Sequence, residues 1–149
     1  MIRMQRQVTA GCPPEVAFAY LADFTTTEQW DPGTVRTERL SGDGGRGTRY
    51  ANTSPFAGRT SDLVYEVTAL TPGESIELRG ENASVVAHDT ITVAGRPNGC
   101  LVTYQVAFAF AGWLRWVEPL LRFAVADLLD KGARGLDREL ARLHSLGTG

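Results

Sequence analysis

Few side chains in this sequence are spaced so that they could do chemistry together. The nearest thing to an acid–base pair is His88-Asp89. Both fall on a predicted strand, where successive side chains point to opposite faces, so they cannot form a dyad with each other. Asp89 shares its face with Val85, Ala87, Ile91 and Val93, while His88 lies with Thr90 and Thr92. A carboxylate among apolar neighbours is costly unless it is paired or beside a solvated cavity. Asp89 is therefore either paired with an arginine or set at a strand end, or it is a polar contact inside a pocket. His144, near the C-terminus, reads as a solvated helix-end residue.

The aromatic residues carry more information. Tyr50, Tyr65, Tyr104, Phe108 and Phe110 fall on three predicted strands. Leu63, Tyr65, Val67 and Ala69 share one face; Val102, Tyr104, Val106, Phe108 and Phe110 share another. A buried tyrosine brings an apolar ring and a hydroxyl that needs a partner. Such residues are either solid core or the walls of a cavity, and the pattern leaves both open.

Other motifs dissolve on inspection. Gly42-Asp43-Gly44-Gly45-Arg46-Gly47 matches G-x-G-x-x-G, but that motif needs a following helix to present amides to a pyrophosphate. Here a strand pattern follows from Thr48, so the segment reads as a glycine-rich hairpin. Neither a P-loop nor a G-x-S-x-G elbow is present. Asn52-Thr53-Ser54 and Asn82-Ala83-Ser84 fit the glycosylation pattern, which carries no information without secretion. Cys12 and Cys100 are far apart in sequence and read as reduced thiols. His88 and His144 belong to no metal spacing, so neither a metal nor a cofactor is expected.

The chain that must position these groups has 149 residues, the size of one domain spanning 1–149. A chain of this length buries roughly 70% of its unfolded surface and needs no disulfide or metal staple. Apolar residues make up 43% and charged residues 21%, which excludes disordered and low-complexity classes. The formal net charge of −2, with no basic run, argues against nucleic acid as a partner. Polar residues interrupt Met1 to Arg6, and no apolar run is long enough to span a bilayer, so a cytoplasmic protein is expected.

Periodicity supplies the elements. Ile2, Met4, Val8 and Ala10 alternate with polar residues over 2–10, a half-buried strand spoiled by Arg6. Pro13-Pro14-Glu15 opens a helix that Asp23 ends, and a second short piece runs from Thr26 to Trp30 before Asp31-Pro32-Gly33. Strands follow near 34–41, 47–53, 60–71, 75–81, 84–94 and 99–110, separated by turn chemistry rather than helices. Val117, Leu120, Leu121, Ala124, Leu128, Leu136, Leu140 and Leu143 then mark one long amphipathic helix starting at Pro119. Gly132 and Gly135 within it allow a bend or close packing on the sheet. This order predicts an α+β fold, with a seven-stranded curved antiparallel sheet wrapped around the C-terminal helix.

Several segments together resemble the polyketide cyclase/dehydratase branch of the START-like (SRPBCC, helix-grip) superfamily. They are Val16 to Phe24, Trp30-Asp31-Pro32-Gly33, Gly45 to Tyr50, Leu63 to Gly73, and the strand and helix from Gly99 to Leu143. The resemblance implies a deep cavity between sheet and helix, shifts the aromatic residues toward cavity walls, and puts Trp30 near the mouth or end. On that reading Tyr50, Tyr65, Asp89 and Tyr104 orient a hydrophobic ligand of lipid, quinone or polyketide type. Val67, Val106, Phe108, Leu121 and Val125 bury it. The alternative is an aromatase/cyclase or dehydratase acting on a poly-β-ketone, with a tyrosine or Asp89 as acid or base and Arg49 or Arg59 holding a carbonyl. A fold shared by so many activities assigns none of them. A protein-interaction module would need a large exposed apolar helix face, which is not expected. A monomer or weak homodimer is expected.

Overall fold

The structure is a computed structural model and describes residues 1–56 and 59–148. Strand β1 (Ile2–Ala10) leads into α1 (Pro14–Ala22), a 3-10 turn (Phe24–Thr26) and α2 (Thr27–Trp30). Six strands follow: β2 (Arg36–Ser41), β3 (Arg49–Phe56), β4 (Arg59–Thr71), β5 (Ser75–Glu81), β6 (Val85–Arg96) and β7 (Gly99–Phe110). A second 3-10 turn (Gly112–Val117) leads into the long helix α3 (Glu118–Thr148).

The seven strands form one antiparallel sheet in the order β1-β7-β6-β5-β4-β3-β2, so the first strand pairs with the last. The local signals act as their chemistry requires. Pro14 sits in the first turn of α1. Asp23 closes α1 and caps the next turn, accepting from the Thr25 amide at 3.1 Å and its hydroxyl at 2.6 Å. Gly42, Gly44 and Gly47 all have positive φ, which glycine adopts without strain. That region is the hairpin between β2 and β3, with no helix after it.

Helix α3 lies on the inner face of the sheet through Leu121, Val125, Leu129, Leu136 and Leu140, all buried. Sequence periodicity places Leu120 on this face. It is instead 69% exposed, and Val125 and Leu129 complete the stripe. With Trp113, Trp116 and Phe123 also exposed, the chain presents an apolar face at the start of α3 that the sequence does not lead one to expect.

One further strand reading is explained and one is corrected. Arg6 belongs to the inward side of β1, where its Nε donates to Asp130 Oδ1 of α3 at 2.7 Å. A register shift between Val67 and Ala69 is a bulge that turns Leu70, rather than Ala69, toward the core.

Candidate functional site

A hollow remains between the inner face of the sheet and α3. Its free interior gives water centres about 90 Å³, and the whole space between atoms, mouth included, is about 970 Å³. One water needs roughly 10–15 Å³ on the first measure, so the interior is far larger than a packing defect.

Of the residues expected to face a ligand, Trp30, Tyr65, Asp89, Tyr104, Val106 and Phe108 line the hollow. Tyr50, Val67, Leu121 and Val125 are buried in the core beside it and are not among its lining residues. Tyr50 and Tyr65 show the difference. They are cross-strand partners, and both pack on Phe24, with ring centroids 5.6 Å and 4.9 Å away. Tyr65 also lies over Gly80 of the next strand, where a Cβ would meet its ring at 2.6 Å. Only the Tyr65 side opens on the hollow.

The polar chemistry gathers on one wall. Tyr104 Oη donates to Asp89 Oδ2 at 2.7 Å, and the Trp30 ring meets the Tyr104 ring edge-on at 5.5 Å. Asp89 is 3% exposed, and burial pushes its carboxyl up to about 7, with the Tyr104 bond opposing and nearby Asp31 adding to the rise. Burial also pushes the Tyr65 and Tyr104 phenols well up, with Asp89 adding to both. Two buried polar atoms lack a partner among the described residues: Asp89 Oδ1 and Trp30 Nε1. Asp89 thus lines the hollow, with Tyr104 rather than an arginine as its partner among the described residues. His88, on the opposite face, is exposed.

Sequence reasoning missed several lining residues. Arg6 looks like a flaw in an alternating pattern, yet it is a cation on the wall. Asp31 looks like no more than a helix stop. Its Oδ1 accepts from the Gly33 amide at 2.9 Å and its Oδ2 from the Thr34 hydroxyl at 3.1 Å. A buried chain of Thr27, Thr37 and Asn52 supplies a second polar strip: the two threonine hydroxyls are 2.6 Å apart, and Asn52 Nδ2 donates to Thr37 at 2.9 Å. Of that strip Thr27 and Asn52 line the hollow and Thr37 lies behind them, and nothing in residue type marks these positions as cavity residues, since Thr27 and Asp31 have ordinary cap and turn bonds and Arg6 and Asn52 are polar residues within strands.

The arginines expected to hold a carbonyl are elsewhere. Arg49 lies on the outer face of the sheet beside Glu66, and Arg59 is exposed at the start of β4. Cys12 and Cys100 are both buried and unbridged. Burial and the neighbouring Cys12 push the Cys100 thiol up to about 11. Among the described residues no cluster of His, Cys, Asp and Glu could hold a metal ion, and no helix is long and apolar enough to cross a membrane.

A curved antiparallel sheet gripping a long C-terminal helix, with a lined hollow between them, is the helix-grip architecture. The chain belongs to the family described as "Polyketide cyclase / dehydrase and lipid transport", whose pattern matches residues 1–141. Solved structures agree on the fold. A Thermus thermophilus protein superposes with a TM-score of 0.77 at 13% identity, covering 93% of this chain and 95% of the other. The ZhuI aromatase/cyclase from Streptomyces sp. R1128 gives 0.76 at 15% identity, covering 93% of each chain. A START superfamily protein from Mycobacterium smegmatis gives 0.76 at 14%, covering 93% and 96%. No protein of curated function matches the sequence.

Proposed function

We propose that the protein binds a hydrophobic small molecule of lipid, quinone or polyketide type in the hollow between the sheet and α3. The observation that carries this reading is the hollow itself: aromatic and aliphatic walls with a few convergent polar groups are the usual design of a small-molecule site. At roughly 25 cal/mol per Å² of apolar ligand surface, a few hundred Å² is enough for useful binding.

Native mass spectrometry of gently purified protein is expected to find a retained apolar compound. A panel of lipids, quinones and aromatic polyketides is expected to raise the melting temperature. Tyr104→Ala opens the wall and frees Asp89, so it is expected to weaken binding of the best panel compound by about tenfold or more, equal to ~1.4 kcal/mol. His88→Ala, on the outer face, is expected to leave it unchanged. The reverse order would refute the assignment of the site to the inner face.

A second reading, an aromatase/cyclase or dehydratase, is favoured by one observation. A carboxyl held near 7 beside a phenol inside an apolar hollow is a suitable acid or base for enolisation at neutral pH. Incubation with a poly-β-ketone intermediate would then change the product distribution. An unaltered distribution would remove that reading for the substrate tried.

A further inference from the structure

We propose that the apolar face at the start of α3 docks on an anionic lipid surface. Docking there does not depend on what the hollow binds.

Five of the nine large apolar side chains exposed among the described residues gather in this region: Met1, Trp113, Trp116, Leu120 and Phe123. The four from Trp113 to Phe123 are 71%, 82%, 69% and 74% exposed, and they follow one another at steps of three and four residues. Trp113 and Trp116 belong to the 3-10 turn Gly112–Val117, where side chains three apart eclipse one another. Leu120 and Phe123 are neighbours on the first turns of α3, on the side away from the buried Leu121 and Val125. The result is one stripe, headed by two tryptophans, opposite the stripe that packs on the sheet. An exposed apolar patch rimmed by polar residues marks a contact surface.

The charges around it select the occupant. Arg115 and Arg122 stand exposed within the stripe, and neither forms an ion pair among the described residues. Arg3, also exposed, donates from Nε to the Met1 sulfur at 3.3 Å and so adds a third cation at the rim. The one carboxylate in residues 111–126 is Glu118, which the Met1 ammonium takes up at 2.6 Å. The next two on α3 are also engaged, Asp127 with Lys131 at 2.9 Å and Asp130 with Arg6 at 2.7 Å.

An anionic bilayer complements both features. Tryptophan rings sit at the membrane–water boundary, leucine and phenylalanine enter the acyl edge, and arginines reach acidic headgroups with their stems along the apolar layer. A second copy of the chain fits less well. Two-fold symmetry would set the patch against itself, so Arg115 and Arg122 of both copies would meet with no free carboxylate between them. The face also adjoins one end of the hollow. Phe110, three residues before Trp113, lines it and pairs with Val85, another lining residue, at that end of the sheet. A docked chain therefore holds that end of the hollow beside the lipid.

The test uses the full chain with vesicles of phosphatidylcholine and phosphatidylglycerol at 3:1, against phosphatidylcholine alone. Co-sedimentation is expected with the first and about tenfold less with the second, and added salt should weaken it. Tryptophan emission gives a second readout. Trp30, the third tryptophan, is buried, so a shift to shorter wavelength on adding vesicles reports on Trp113 and Trp116. Trp113→Ser combined with Trp116→Ser is expected to cut the partition coefficient by about tenfold. Arg115→Gln combined with Arg122→Gln should lower it to the phosphatidylcholine value. All four positions are exposed, so both double variants should keep the wild-type melting temperature. Failure to bind either vesicle overturns the proposal, as does equal binding to the two, or binding that both double variants retain. A dimer in sedimentation equilibrium that the tryptophan variant dissociates also overturns it, and assigns the face to a second copy.

Discussion

Gly135→Ala is expected to destabilise the protein by about 3 kcal/mol, at the upper end of ordinary overpacking, even though alanine is the better helix former by about 1 kcal/mol. Gly135 lies inside α3 where that helix crosses α2, and a Cβ there would meet the Trp30 carbonyl oxygen at 1.8 Å and its carbon at 2.8 Å. These are backbone atoms, so no rotamer change relieves the contact; the helices must separate. For a domain of this size each kcal/mol moves the melting temperature by roughly 2–4 °C, so a fall of about 6–12 °C is expected in a circular-dichroism melt. Gly132→Ala is the control. Its Cβ would lie 3.7 Å from the Trp30 ring, an ordinary contact. That variant should gain up to about 1 kcal/mol from helix propensity. A Gly135→Ala protein that melts no lower than wild type would mean that α3 does not press on Trp30 this closely.

The same contact shows what is legible in the sequence and what is not. Gly132 and Gly135 stand out as costly residues in a helix, and close packing is a sound reading, but the partner is the Trp30 backbone rather than the sheet. Strand edges are readable because alternation and turn chemistry are local: β5 and β7 have the expected bounds, and the glycine-rich hairpin lies where its φ requirements put it. The phase of α3 is harder. Within α3 the buried stripe of Leu121, Val125, Leu129, Leu136 and Leu140 fixes the phase, and at about 100° per residue Leu120 stands roughly 160° round the helix from Leu136 and so faces outward. Tyr50 and Tyr65 are indistinguishable by type, strand position and face. Which of them meets empty space depends on where Phe24 rests, a long-range fact that no local period encodes. Arg6 escapes a sequence reading for a related reason: a charge on an inward face looks like an error until its partner, Asp130, arrives from the far end of the chain.

Asp89→Asn is expected to stabilise the protein at pH 8 by several kcal/mol and to change it little at pH 4. In the unfolded chain this carboxyl titrates in the ordinary range, whereas in the folded protein burial holds it near 7. The folded state therefore binds the proton more tightly than the unfolded state between those values. Where the folded state holds more protons, stability falls as pH rises. The loss begins near the unfolded value, continues up to about 7 and then levels off, reaching about 4 kcal/mol at ~1.36 kcal/mol per unit of pKa. Asp31, also raised by burial, contributes in the same direction. Asparagine has nearly the same shape, can still accept from Tyr104, and carries no charge to bury. Urea unfolding of both proteins at pH 4 and pH 8 separates the outcomes. The wild type should lose stability between the two while the variant loses much less. Equal slopes would mean that Asp89 ionises freely in the folded state, with water reaching it through the hollow. The carboxyl would then be a solvated wall group, available to accept a ligand's hydroxyl but unable to donate to its carbonyl.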